Sequence, residues 1–430
     1  MEHVIRNFKT LAENDLRQDA LAIAEAGYIA IDTASALERK LRVTGDELHI
    51  GEKTFSLTGR RIFFVGIGKC AFAGARAIEK ILGERLAGGV ALDIASNTET
   101  PSAKVEALTG THPLPNGTNV QSSKRIIEFL SDLREDDLVI MLISGGGSTL
   151  LCLPDAPMTY LDESTLFHEL TAHGASIQDI NIVRKHISRA RGGALAKAAY
   201  PAEVVTLIFS DVPRNDVHTI SSGPTVLDTS TVADAQAILS KYNVIPPANT
   251  TFIETPKEAN YFERVTNMLF LTNQDALLAM QNEAKRRGYA TETVDDRFTG
   301  EARDVGHAVL EKLHTSPTNT ALFYAGESTV TTAASRGKGG RNQEMALAAL
   351  ERIRDGELIL SFASDGHDNT EHAGAIADTM SREHARAQNL SIGEYLDAHR
   401  SYDFFKTTGD ALITGYTESN VSDLIVALKK

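Results

Sequence analysis

The chain has 430 residues, 42% hydrophobic and 23% charged, which is ordinary for a globular protein and long enough for two or three domains. Acidic residues outnumber basic ones 57 to 43, and the net charge of −14 excludes a general nucleic-acid or anionic-membrane binder. Cys70 and Cys152 are the only cysteines, too few for a disulfide scaffold or a cysteine-rich zinc site.

The first residues, Met1 to Arg6, lack a signal peptide's apolar core, and no apolar run reaches membrane-spanning length, so a cytoplasmic protein is expected. Residues 19–41 carry Leu21, Ala24, Ile29, Ala36 and Leu37 at helical spacing and predict one long amphipathic helix. Residues 61–66 read as a strand, followed by Gly68 and a helical pattern to Leu82. Further strands are predicted at 89–94, 138–143 and 204–210, separated by helices at 120–133, 161–171 and 191–199. This alternation predicts an α/β fold with a mostly parallel, doubly wound sheet. Residues 244–260, with Pro246-Pro247 and Pro256, read as the connection between two domains, 1–250 and 251–430. The second α/β unit has strands predicted at 267–272, 320–325, 358–363 and 411–414, with helices at 274–287, 299–313 and 342–352.

Ligands of open α/β sheets bind beyond the carboxyl ends of the strands, and here those ends carry polar residues, which suggests a cleft between the domains. The apolar run 138–143 passes directly into Ser144-Gly145-Gly146-Gly147-Ser148. Glycines without Cβ atoms let successive amides converge on an anion, and a helix opening at 149–153 would add its dipole. A bare strand-to-helix turn fits the same residues, and the spacing is not that of a Walker A loop. Gly66-Ile67-Gly68-Lys69-Cys70-Ala71 matches a dinucleotide-binding turn, with Asp93 near where a ribose-binding acid would sit, so a nicotinamide-dependent enzyme is one reading. Lys69 as a phosphate or carboxylate ligand is the other.

Asp211 and Asp216, on the loop after 204–209, suit one hydrated Mg²⁺, or else cap turns. Arg336-Gly337-Lys338-Gly339-Gly340-Arg341 sets three cations among three glycines at a helix start, which suits an anion with several oxygens, or else a solvated loop. Asp365 and Asp368 could bind a metal, orient a hydroxyl or cap a helix, whereas His367 and His372 read as solvated loop histidines. Arg184-Lys185-His186 and Arg189 to Gly193 form a further basic stretch expected to line the cleft. No serine-hydrolase elbow, zinc-binding histidine pair or protein-kinase motif set is present. Nests, cations and loop carboxylates are the mixture that phosphoryl transfer requires.

In chain order, Gly66-Ile67-Gly68-Lys69, His112-Pro113-Leu114-Pro115, Ile143 to Ser148, Val183 to His186 with Arg191-Gly192-Gly193, and Ser210 through Asp216 to Thr225 form one set. Gly326-Glu327-Ser328-Thr329, Gly339 to Glu344, Ser364-Asp365-Gly366, Ala373-Gly374-Ala375 and Gly409 to Gly415 complete it. This ordered set resembles the two-domain glycerate 2-kinase family, which has a DUF4147 N-terminal domain and a MOFRL C-terminal domain. The resemblance implies a Rossmann-like N-terminal domain, a smaller α/β C-terminal domain and an inter-domain cleft. It implies ATP- and Mg²⁺-dependent phosphorylation of D-glycerate at its 2-hydroxyl, with Lys69 and Arg341 central to catalysis. On that reading Ser144, Gly145, Gly146, Gly147 and Ser148 cradle the nucleotide with Gly340, Asn342 and Glu327. Asp211 and Asp216 then hold the metal, and Asp365 joins the catalytic residues. Members have also been labelled hydroxypyruvate reductases, so an NAD(P)H-dependent reductase is the competing enzyme, and a non-catalytic sugar-acid or nucleotide binder is the third reading. No nucleic-acid or membrane partner is expected, and a homodimer is left open. Where the family has Asp-Gly, this chain has Asp368-Asn369, and Asn tolerates the left-handed backbone that such a turn needs.

Overall fold

The computed structural model describes residues 3–94, 102–210, 216–331 and 337–430. Asp211 and Arg336 therefore lie outside the described residues. Chain contacts define two compact units that are not consecutive stretches of sequence. One contains Thr33–Ser210 and 216–270; the other joins the residues before Thr33 to Leu271–Lys430.

The first unit opens with a small antiparallel meander, β1 (Leu41–Thr44), β2 (Glu47–Ile50) and β3 (Lys53–Ser56), which the sequence reading did not anticipate. Its main sheet contains β4 (Ile62–Ile67), β5 (Leu86–Ile94), β6 (Val105–Gly110), β7 (Leu138–Ile143), β8 (Glu203–Phe209) and β9 (Val265–Leu271). The strand order is β6-β5-β4-β7-β8-β9, and every pairing from β6 to β8 is parallel. A parallel strand needs apolar side chains on both faces, and β7, Leu-Val-Ile-Met-Leu-Ile, is buried at all six positions. The chain starts at the centre with β4, runs outward to β6 and returns to β7. The order thus reverses between β4 and β7, and ligands bind at such a switch point in this topology. Residues 267–272, expected as the first strand of the second domain, instead form β9 at the edge of this sheet.

The predicted helix 19–41 is two helices, Asp15–Ile31 and Thr33–Lys40, broken at Asp32. The periodicity continues across the break, but each half buries its face against a different partner. Asp15–Ile31 packs on the helix Asn273–Arg286 of the second unit, and Thr33–Lys40 packs on Ala71–Leu82 of the first. No single helix among the described residues is long and apolar enough to cross a membrane.

The second unit holds β10 (Ala290–Phe298), β11 (Thr320–Gly326), β12 (Glu357–Ala363), β13 (Gly374–Asp378), β14 (Ala411–Leu412) and β15 (Asp423–Lys429) in the order β10-β11-β15-β12-β13-β14. Only β10 and β11 pair in parallel, so this sheet is mixed. The helix Arg341–Leu350, buried from Asn342 onward, packs against this sheet and the helix Ala302–Thr315.

Candidate active site

The two glycine loops singled out in the sequence meet at the switch point. The Lys69 amide donates to the Gly145 carbonyl at 3.1 Å, the Cys70 amide to Ser144 Oγ at 3.2 Å, and the Ser144 amide to the Ile67 carbonyl at 2.9 Å. Gly146 is left-handed, at φ 84°, and a Cβ there would touch the Lys69 stem and the His112 ring. Among the described residues, no acceptor is paired with the amides of Gly145 and Gly146. The helix expected at 149–153 is a single turn, Gly147–Leu150, so any anion here depends on amides and Lys69 rather than on a long helix dipole.

A layer of residues whose supporting role the sequence did not show lies behind this loop. Ser221 and Ser222 are both left-handed without being glycine, at φ 50° and 61°, a strain of about 1–3 kcal/mol each that tends to mark functional sites. Ser221 Oγ donates to the Ser144 carbonyl at 2.9 Å, and Ser222 Oγ lies 2.9 Å from Ser148 Oγ. A side chain on Gly147 would run into Ser221, so glycine is required there by close approach. Arg191 Nη2 donates to the Ser148 carbonyl at 2.5 Å and to Glu163 at 2.7 Å. The Ser221-Ser222-Gly223 and Arg191-Gly192-Gly193 segments both belong to the ordered set named from the sequence, but nothing in the sequence pairs them with this loop.

In the second unit, Arg341 opens its helix with its guanidinium between Asp423 and Glu327, at 2.5 Å from each carboxylate. Asp368 is also within charge range. Three carboxylates lie around one cation, which favours the protonated form of the most buried of them. Burial raises Asp423 to about 7; Arg341 pulls it down, while Asp368 and Glu327 push it up. The anion expected at this helix start is supplied by the protein itself. The Asp368 carboxylate accepts from the Asn342 amide at 3.0 Å and the Gln343 amide at 2.8 Å. Gly340 lets the Asp368 backbone and carboxylate approach, since a Cβ would collide with both. Asn342 is buried between Asp368 and Ser361, not presented to a ligand. Gly340 and the Asn342 side chain therefore build the motif itself, through Asp368 and Ser361.

Asp365, half-buried, accepts from the His367 amide at 3.0 Å, and Asn369 adopts φ 55°, the left-handed turn expected of it. Exposed Asp216 accepts from the His218 amide at 3.0 Å. Asp93 is fully buried and receives the Phe72 amide at 3.0 Å, capping the helix after the glycine turn, so it does not face a ribose. Lys185 and His186 are not cleft-lining cations: Lys185 pairs with buried Asp228, and His186 bridges Ser230 and the Ile253 carbonyl. Lys338 sits over the Tyr402 ring beside Glu371, and His372, expected in solvent, stacks on Tyr402 and contacts Gln343. Among the described residues one triad, Glu13, His384 and Asp410, has metal-ligand spacing, but Arg17 already donates to Glu13 and Asp410.

Residues 19–254 match the "Domain of unknown function (DUF4147)" family and residues 320–423 match the MOFRL family. The chain is 33% identical to a glycerate 2-kinase of Pyrococcus horikoshii, across 96% of this chain and 97% of that protein. It is 35% identical to a D-glycerate 2-kinase of Thermotoga maritima, across 86% and 90% of the two chains. It is also 36% identical to a putative hydroxypyruvate reductase of Agrobacterium vitis, across 85% and 86%. The crystal structure of a glycerate kinase from Thermotoga maritima superposes with a TM-score of 0.84 at 31% identity, covering 95% of this chain and 98% of that one. With both family regions in order and full-length relatives above 30% identity, the chain belongs to the DUF4147–MOFRL glycerate kinase family.

Proposed function

We propose that the protein transfers the γ-phosphoryl group of ATP to the 2-hydroxyl of D-glycerate, giving 2-phosphoglycerate and ADP. The observation that carries this reading is the meeting of Lys69 with the Ser144–Ser148 loop at the switch point, where the Gly145 and Gly146 amides have no paired acceptor among the described residues. Such amides and a lysine suit nucleotide phosphates, because positioning and charge neutralisation supply most of the catalysis in phosphoryl transfer. Glycerate kinases among the relatives support the acceptor. Arg341, fixed by Asp423 and Glu327, is the second cation assigned to the transferring group, with Asp365, on the loop after β12 of the same unit, kept as a catalytic candidate. The exposed Asp216 carboxylate, carrying one amide donor, fits a hydrated Mg²⁺, with Asp211 as the second ligand of this assignment. When bound, that ion would neutralise phosphate charge. The lysine and the loop amides would hold the nucleotide's phosphates in place.

The reductase reading loses its ribose acid, since Asp93 is buried as a helix cap. The test is ADP release from ATP and D-glycerate, run beside NADH oxidation with hydroxypyruvate. ADP release that requires D-glycerate, is abolished by EDTA, and falls about a hundredfold or more in Lys69→Ala and Arg341→Ala is expected. NADH oxidation without ADP release would establish the reductase, and nucleotide binding without either turnover would establish a binding protein.

A further inference from the structure

Behind Ser148 the first unit buries more positive than negative charge. Arg191 is fully buried, with its Nη2 shared between the Ser148 carbonyl and Glu163 Oε1. Glu163, 2% exposed, also accepts from Cys152 Sγ at 3.4 Å. Arg184, 8% exposed, lies over the Phe167 ring at 4.0 Å and within charge range of Arg191, Glu163 and Cys152. Burial and Glu163 push the Cys152 thiol up, so it stays protonated and adds no negative charge. Two guanidiniums thus face one carboxylate. Arg184 Nε, Arg191 Nε and Arg191 Nη1 are buried with no hydrogen-bond partner among the described residues.

An uncompensated buried cation with unpaired donors is costly, and a fold keeps one where something else supplies the acceptor. We infer that Arg184 and Arg191 form an oxyanion subsite at the Ser148 end of the glycine loop, taking an oxyanion of one of the two reactants. Planar guanidinium forks suit a carboxylate or a phosphate equally, so the ligand is the acceptor's carboxylate or the nucleotide's phosphate. Burial lowers Arg184 to about 10, a cost that a bound oxyanion would offset. The Arg191 bond to the Ser148 carbonyl links the subsite to the loop, and Ser148 Oγ reaches Ser222, which donates to Asn181 at 3.0 Å. The identity of the reactant rests on the kinase reading; the subsite does not.

The test is Arg184→Met, which keeps the packing on Phe167 and removes the charge, with Arg184→Lys as the variant that keeps the charge and loses the fork. KM for one reactant is expected to rise about ten- to a hundredfold in Arg184→Met, the loss of one charged contact, and to recover in part in Arg184→Lys. A rise confined to D-glycerate assigns the acceptor carboxylate, and a rise confined to ATP assigns the nucleotide phosphate. Unchanged KM for both in a variant that melts like wild type overturns the subsite. Equal rises for both with a lowered melting temperature also count against it, as a packing effect. If wild type shows no kinase turnover, calorimetry with D-glycerate and with inorganic phosphate decides the subsite separately. Binding lost in Arg184→Met supports it, and equal binding in both proteins, or none in wild type, overturns it.

Discussion

Gly147→Ala tests whether the Ser144–Ser148 loop must keep its shape to hold the nucleotide. A Cβ on Gly147 would lie 2.7 Å from Ser221 Cβ and closer still to Ser221 Oγ, while its next neighbour, Ile67 Cγ2, is at an ordinary 3.5 Å. Carbon atoms settle at about 3.5–4.0 Å, so the methyl group forces Ser221 and the loop apart by roughly 1 Å. Overpacking of this kind costs about 1–3 kcal/mol, and roughly 1 Å of misplacement in a site costs about a hundredfold in rate. The collision involves one side chain, so Ser221→Gly should relieve it, and glycine also suits the φ of 50° there. Ser221→Gly alone loses the hydroxyl bond to the Ser144 carbonyl but sheds backbone strain, two terms of about 1 kcal/mol that nearly cancel. Steady-state kinetics on the four proteins should show kcat/KM for ATP down about a hundredfold in Gly147→Ala and largely restored in the double variant. Wild-type kinetics in Gly147→Ala, or a double variant no better than the single, would refute the assignment of this loop to the nucleotide.

Arg17 is fully buried and donates to Asp378 twice at 2.7 Å and to Asp410 at 2.8 Å, with both carboxylates buried too. Arg17→Met strands those carboxylates and should cost about 3–5 kcal/mol in a urea melt; a loss below about 1 kcal/mol would show that the network is not needed. Asp423 is held at about 7, above its ordinary 3.8, so the folded protein binds this proton more tightly than the unfolded chain. Its contribution to stability is therefore complete below about pH 4 and is lost as pH rises through about 7. Asp423→Asn should flatten that decline in urea midpoints measured across the window, and an undiminished slope would assign the titration elsewhere.

The run 138–143 announced itself as a buried strand, and the glycine turns beside it were legible because a nest or tight turn is local chemistry. The same local signal misled at Gly340-Arg341. Helix amides and a guanidinium do attract an anion, but the carboxylate that fills the helix end comes from Asp368, 26 residues from Asn342. Periodicity carried one helix through Asp32, although the halves pack on different units, and β15 went unread although Asp423–Lys429 is an apolar run in plain sight. A residue's type and its near neighbours determined, from sequence alone, an α/β chain with glycine-rich loops at its strand ends. Only the tertiary structure decided which loops meet, because the switch point between β4 and β7 is set by strand order. It also decided which charges are already paired, because Arg341 and Arg17 find their carboxylates across long spans of chain.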